Sequence, residues 1–218
     1  LITTGGVLIR TKVCEVRETG RAAQGVRLIN LDDGEKLVGF EKVAESDDPE
    51  AEDGDLAGVD VARFGDDQST WSLRQGLACL SVKKFRGLDL MTFAGLIAQL
   101  IQKEEPDMTF IDQTGVGAGV VDRLRQLGIR NVIGVDFGGA PLNKELYANK
   151  RTEMWCLLRD WLEGGAAIPP DEELRSDLVS PEYGFTGDKG QIVLEKKQDM
   201  KKRGLASPDC GDSLALTF

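Results

Sequence analysis

Residues 45–55 read ESDDPEAEDGD, seven carboxylates in eleven positions with one proline and one glycine among them. Such a run has no apolar side to bury and repels itself, so it stays solvated and no hydrophobic core continues through it. Whatever folds upstream and downstream must bury its apolar surface separately. The two flanks also differ in pattern, which makes the run a linker between unlike pieces.

Upstream, GGVLIRTKV and GVRLINLDDGEKLVGF alternate apolar and polar residues with the period of strands, and Asp32-Asp33-Gly34 predicts a hairpin turn. Residues 1–44 are expected to be a short all-β fragment, and 45–56 the acidic linker. From 57 to 218 the pattern is α/β. Strands are predicted near 57–63, 69–75 and 77–85, with turns at Gly65-Asp66-Asp67 and Gly76. A helix over 90–104 stops before Pro106, and a strand at 107–112, a helix at 117–127 and a strand at 131–135 follow. A long helix over 143–163 ends at Gly164-Gly165, with Leu157, Leu158, Trp161 and Leu162 expected in the core. A helix at 171–179, a hairpin around Gly187–Gly190 and a last helix opening near Pro208 complete the chain. Three antiparallel strands followed by alternating helices and parallel strands predict a mixed sheet covered by helices.

Composition narrows the chemistry. The 218 residues carry a net charge of −10, of which −6 lies in residues 1–58 and −4 in the remainder. That balance gives no field for indiscriminate DNA binding, so any contact with nucleic acid must use a local basic face or metal ions. There is no histidine, which excludes Ser-His-Asp and Cys-His arrangements and argues against zinc. Cys14, Cys79, Cys156 and Cys210 are scattered without a CxxC pair, as expected of reduced thiols in a cytosolic compartment. No apolar run approaches the roughly 20 residues of a membrane span, and no signal peptide is recognisable. Carboxylates, lysines and metal remain.

The carboxylates are oddly placed. Asp60 interrupts the apolar strand GVDVA, where packing would favour valine or isoleucine, and a buried carboxylate demands a positive partner. Asp112 ends the strand DMTFID, at the carboxyl end where ligands gather in open α/β sheets. The following TGVGAG lacks the third glycine of GxGxxG, since Val120 stands there, and no P-loop string occurs. Its glycines fit close helix–strand contact better. Asp209 and Asp212, three apart in SPDCGDSLALTF, share a face of the first helical turn. Asp209 also suits a capping and dipole role. If Asp60, Asp112 and Asp212 converge, they stay ionised only with cations beside them, and hard divalent ions with oxygen ligands match that set.

These residues carry a resemblance. GVDVARFGDDQS, FIDQTGVGAGVVDRL, VIGVDFGG, NKRTEMWCLLRDWL and SPDCGDSLALTF resemble, in order and spacing, the nuclease domain of the large terminase subunit of tailed bacteriophages over nearly all of 58–218. The resemblance implies a ribonuclease-H-like fold and cutting of double-stranded DNA during genome packaging in the cytoplasm of the bacterial host. It implies two Mg²⁺ or Mn²⁺ ions on Asp60, Asp112 and Asp212, with Asp209 auxiliary. As partners it implies a portal protein and a small terminase subunit, and no membrane. The family carries an ATPase motor ahead of this domain, and no Walker motif precedes it in residues 1–57. Instead, residues 1 to about 50 resemble the last blade of the C-terminal β-pinwheel of DNA gyrase A with its acidic tail, so the chain reads as a chimera.

Basic residues complete the expectations. Lys150 and Arg151 open the long helix, and Lys196, Lys197, Lys201, Lys202 and Arg203 form a basic stretch before the last helix. Phosphate contact is the functional reading, with Lys150, Arg151, Lys197, Lys201, Lys202 and Arg203 as candidates. A solvated helix face is the plain alternative for the second group. Two other functions compete: another ribonuclease-H-like nuclease such as a junction resolvase, and a DNA-binding or topology module built on the gyrase-like segment.

Overall fold

The computed structural model describes residues 2–3, 36–39, 54–62, 68–186 and 190–218. The chain divides into two compact units, Leu1–Ala51 and Glu52–Phe218. In the first, strand β1 (Ile2–Thr3) pairs antiparallel with β2 (Leu37–Gly39), matching Ile2 with Gly39 and Thr3 with Leu37. The turns expected at Asp32-Asp33-Gly34 and Gly65-Asp66-Asp67 lie outside the described residues.

The second unit is built on a five-stranded sheet of order β5-β4-β3-β6-β7. Its strands are β3 (Leu56–Asp60), β4 (Ser69–Gln75), β5 (Ala78–Phe85), β6 (Met108–Asp112) and β7 (Val132–Val135). The first three form an antiparallel meander, and β6 and β7 add parallel to β3. Helices α1 (Leu90–Glu104) and α2 (Gly117–Gln126) connect the parallel strands; α3 (Lys150–Glu163), α4 (Glu172–Val179), α5 (Lys197–Lys202) and α6 (Asp209–Ala215) follow. Between α4 and α5, β8 (Tyr183–Thr186) and β9 (Gln191–Leu194) pair antiparallel, and residues 187–189 of the turn expected between them lie outside the described residues. This mixed sheet flanked by helices is the ribonuclease-H-like architecture expected. Among the described residues no helix is long and apolar enough to cross a membrane.

Strand alternation divides the core in two. Ala57, Val59, Trp71, Leu73 and Ile111 pack with Phe93, Ile97 and Ile101 of α1 and Val120 and Leu124 of α2. The opposite core holds Trp155 and Leu158 of α3, Leu174 of α4, and Cys210, Leu214 and Leu216 in and after α6. Here α6 lies directly on the sheet: a Cβ at Gly58 would stand 1.8 Å from the Ser213 carbonyl oxygen. Gly58 permits that approach, and Ser72 and Ser213 hydroxyls meet at 2.6 Å beside it. Gly117 plays the matching part on β6, where a Cβ would meet the Asp112 carbonyl at 1.8 Å. Of the glycines after Asp112, Gly117 thus serves close helix–strand contact, whereas Gly119 makes room for the Leu90 side chain of α1 and Gly115 takes a positive φ of 68° in open space.

Two differences from the expected elements have local causes. The long helix begins at Lys150, because Asn149 caps it by accepting from the Thr152 amide at 2.9 Å. The preceding residues are drawn elsewhere: Glu153 accepts from the amides of Leu142 and Asn143, and Leu146 and Ala148 pair with Ile192 of β9. The basic stretch before the last helix forms the short helix α5. Leu157 is exposed, whereas Leu158 is buried and Trp161 and Leu162 pack half-buried against the core.

Candidate active site

The parallel register fixes the first two acids. Val59 lies opposite Ile111, so Asp60 and Asp112 end neighbouring strands and, by alternation, face the side that α6 covers. Asp60 is buried and Asp112 half-buried, with Thr114 donating its amide to Asp112 Oδ1 at 2.9 Å. From above, the first turn of α6 brings Asp209 and Asp212, both buried. Asp209 is tied to β4 through its carbonyl, which accepts from Thr70 Oγ1 at 2.7 Å, and the Gln68 amide lies 3.4 Å from its carboxylate. The α6 amides of Cys210 and Gly211 are capped by the Asp177 carboxylate of α4 at 2.8 and 3.3 Å.

Three of these carboxylates close on one ammonium group. Lys197 Nζ lies 2.8 Å from Asp212 Oδ2, 3.2 Å from Asp60 Oδ2 and 3.5 Å from Asp209 Oδ1. Asp212 is also held on its other oxygen, Oδ1, by Arg151 Nε at 2.9 Å and Trp155 Nε1 at 2.7 Å. Among the described residues no three acidic or thiol side chains are spaced as a ready ion cage, and Lys197 fills the space between the carboxylates. An open cleft of about 520 Å³, bordered by Asp60, Gly115, Lys197, Lys201 and Asp209, leads to it.

The electrostatics follow from this packing. Burial pushes the Asp60 carboxyl up to about 8; Lys197 opposes that rise, and the charges of Asp212, Asp209 and Asp112 add to it. Burial also raises Asp112, against hydrogen bonding from Thr114. For Asp212 burial pulls upward, yet Arg151 and Lys197 outweigh it and hold the carboxylate below its ordinary range. Burial alone would discharge Lys197, but Asp60, Asp212 and Asp209 keep it charged well above the usual lysine range. The cluster is one in which carboxylates crowd around a cation.

The basic residues expected to face phosphate are mostly engaged with acids. Arg151 and Lys197 turn inward to Asp212 and its neighbours. Lys150 pairs with Glu153 at 2.8 Å, Lys202 with Asp199 at 2.7 Å, and Arg203 with Glu182 and Glu195. Lys201 is the one of the six, besides Lys197, that borders the cleft. Sequence reasoning passed over Trp155, Gln68, Thr70 and Asp177. The one signal available was helical: Arg151 and Trp155 are four apart and share a face of α3.

Comparison with known proteins separates the two units. Residues 1–44 match the family model of the DNA gyrase C-terminal domain, a β-propeller. Similar curated proteins are DNA gyrase A of Neisseria gonorrhoeae, 72% identical over 47 residues, and that of Rickettsia bellii, 53% identical over 56 residues. These alignments cover 22% and 26% of this chain but only 5% and 6% of the relatives. The fold of the remainder is similar to a mutant nuclease domain of the large terminase subunit gp2 of bacterial virus Sf6, solved with manganese and beta-thujaplicinol. The TM-score is 0.65 at 17% identity, over 75% of this chain and 87% of that one. It is likewise similar to the large terminase nuclease of thermophilic phage G20c with bound magnesium, with a TM-score of 0.59 at 20% identity, over 75% and 79% of the two chains. The chain thus joins a segment similar to the gyrase C-terminal domain to a unit with the ribonuclease-H-like fold of phage large terminase nucleases.

Proposed function

We propose that the second unit is a divalent-metal-dependent endonuclease that cuts double-stranded DNA as the nuclease part of a phage packaging machine, acting in the host cytoplasm. The observation that carries this reading is the ammonium of Lys197 among Asp60, Asp209 and Asp212, with Asp112 on the adjoining strand. A charged group standing among all-oxygen donors marks a place built for a cation, and the donor set suits Mg²⁺ or Mn²⁺. Asp60, Asp112 and Asp212 would hold two such ions, with Asp209 assisting. When bound, the ions supply the charge that activates water and stabilises the leaving oxygen, work for which this chain has no histidine.

The residues of the chain do the rest. The β3 and β6 ends place Asp60 and Asp112 side by side, and α6 holds Asp212 opposite them. Lys197 neutralises the acids while no ion is bound and sits where an ion would compete with it. Lys201 at the cleft border offers a positive charge to an approaching phosphate.

The test is cleavage of plasmid and linear duplex in Mg²⁺ or Mn²⁺, with four-way junctions alongside. Duplex cutting that stops in EDTA and disappears in Asp60→Asn and Asp112→Asn is expected. Undiminished cutting in EDTA would end the metal account, and activity confined to junctions would favour a resolvase.

A further inference from the structure

We propose that Trp155 is a positioning residue for Asp212: with Arg151 it saturates Oδ1 of that carboxylate, so that only Oδ2 is presented to a divalent ion. The inference rests on the metal-dependent reading above. Oδ1 accepts from the Trp155 indole N–H at 2.7 Å and from Arg151 Nε at 2.9 Å, which occupies both of its lone pairs. Oδ2 faces Lys197 Nζ at 2.8 Å and, among the described residues, otherwise has only a long 3.4 Å contact from Arg151. The oxygen on the ammonium side is therefore the one left to a metal, as a single-oxygen ligand.

Both donors are themselves held. Arg151 gives a further N–H to the Glu195 carbonyl at 3.0 Å, and its guanidinium lies 5.7 Å from the centre of the Trp155 ring. The indole is buried and lies over Gly211, where a Cβ would stand 2.6 Å from its Cη2 atom. The glycine between Asp209 and Asp212 is thus the gap through which the ring reaches the carboxylate. A neutral N–H suits this place, because it orients Asp212 without cancelling the charge that attracts the ion. Partners that orient a metal-binding carboxylate typically contribute roughly 10–100-fold to metal affinity.

Two measurements on the full chain test this without reference to cleavage. The first titrates Mn²⁺ and follows the free ion by electron paramagnetic resonance. Trp155→Phe, which keeps the packing and loses the donor, should weaken Mn²⁺ binding about tenfold. Leu158→Ala, in the same helix and core but away from the carboxylate, should leave it unchanged. The second follows indole N–H resonances on adding Mg²⁺. The Trp155 signal, assigned by its loss in Trp155→Phe, should move, while those of Trp71, bonded to Glu104, and Trp161, bonded to the Gly76 carbonyl, stay in place. Mn²⁺ binding by Trp155→Phe within about twofold of the parent, or a Trp155 resonance that ignores bound Mg²⁺, overturns the positioning role alone. A parent chain that binds no Mn²⁺ overturns this role and the metal reading together.

Discussion

Lys197 and Asp212 show how a single residue is defined by what surrounds it. Asp212 is fully buried, yet it stays ionised because Arg151, Trp155 and Lys197 all donate to it. Lys197 stays charged for the reciprocal reason. Removing one partner of such a group leaves buried charge uncompensated, which is costly. Lys197→Ala should therefore lower the melting temperature of the metal-free protein, because Asp60, Asp209 and Asp212 lose their shared cation. The same variant should bind Mn²⁺ more tightly, since the ion no longer competes with an ammonium. Calorimetric melts with and without Mn²⁺ read both effects, and a variant as stable as the parent without metal would show that the carboxylates do not depend on Lys197.

Among the elements, α6 is the part on which the site turns, and a helix of seven residues is too short to hold itself. Its placement comes from Gly58 beneath it, the serine pair beside it and Asp177 at its first amides. Gly58→Ala puts a methyl group into the Ser213 carbonyl. It should cost roughly 3 kcal/mol or more in denaturant unfolding, at or above the upper end of ordinary overpacking, and should weaken Mn²⁺ binding as α6 lifts away. Asp177 gives a pH signature. Burial pushes its carboxyl up to about 6 in the fold, above the ordinary value near 3.8. The folded state therefore holds that proton more tightly, and the resulting stability is complete below about pH 4 and lost as pH rises through about 6. Asp177→Asn keeps an acceptor for the Cys210 amide but does not ionise. Relative to the parent it should gain up to about 3 kcal/mol between pH 4 and pH 8, at roughly 1.4 kcal/mol for each pKa unit. Parallel unfolding curves at the two pH values would measure this, and an unchanged difference would mean that Asp177 is not the group titrating.

At the scale of the whole molecule, the carboxylate site lies entirely within Glu52–Phe218. Deleting residues 1–51 should leave the melting of the second unit and its Mn²⁺ binding unchanged; a large loss of either would show that the first unit contributes to the nuclease fold. The net charge of −10 repels duplex DNA at long range, and most basic residues near the cleft are engaged with acids. Duplex binding with Ca²⁺ in place of Mg²⁺ should accordingly be weak. Its salt dependence should be shallow, because each neutralised phosphate contributes roughly −0.9 to the log–log slope. Lys201→Ala should flatten it further. Tight binding indifferent to salt would contradict this account.

What the sequence determined by itself is what depends on neighbours along the chain. The pattern placed Asp112 at a strand end and Asp60 within a strand that the structure ends at Asp60 itself; proline and glycine stopped α1 and α3, and the three-residue spacing set Asp209 and Asp212 on one helical turn. The acidic run at 45–55 stands between a piece that matches the gyrase C-terminal family model and a piece whose fold is similar to that of phage large terminase nucleases. The motifs of the second piece were sufficient to suggest the fold. Only the tertiary structure decided which charges meet. Lys197 and Arg151 look like surface cations in sequence, but their partners lie 137 and 61 residues away, at Asp60 and Asp212. No local period encodes such a pairing. It arises because burial penalises an unpaired charge, so a basic side chain within reach turns from solvent to the buried carboxylates. The start of α3 has the same origin: Leu146 and Ala148 found hydrogen bonds on β9 that their helical pattern could not foresee. Trp155 carries no signal in sequence beyond its place four residues after Arg151, and only its packing over Gly211 aims its N–H at Asp212.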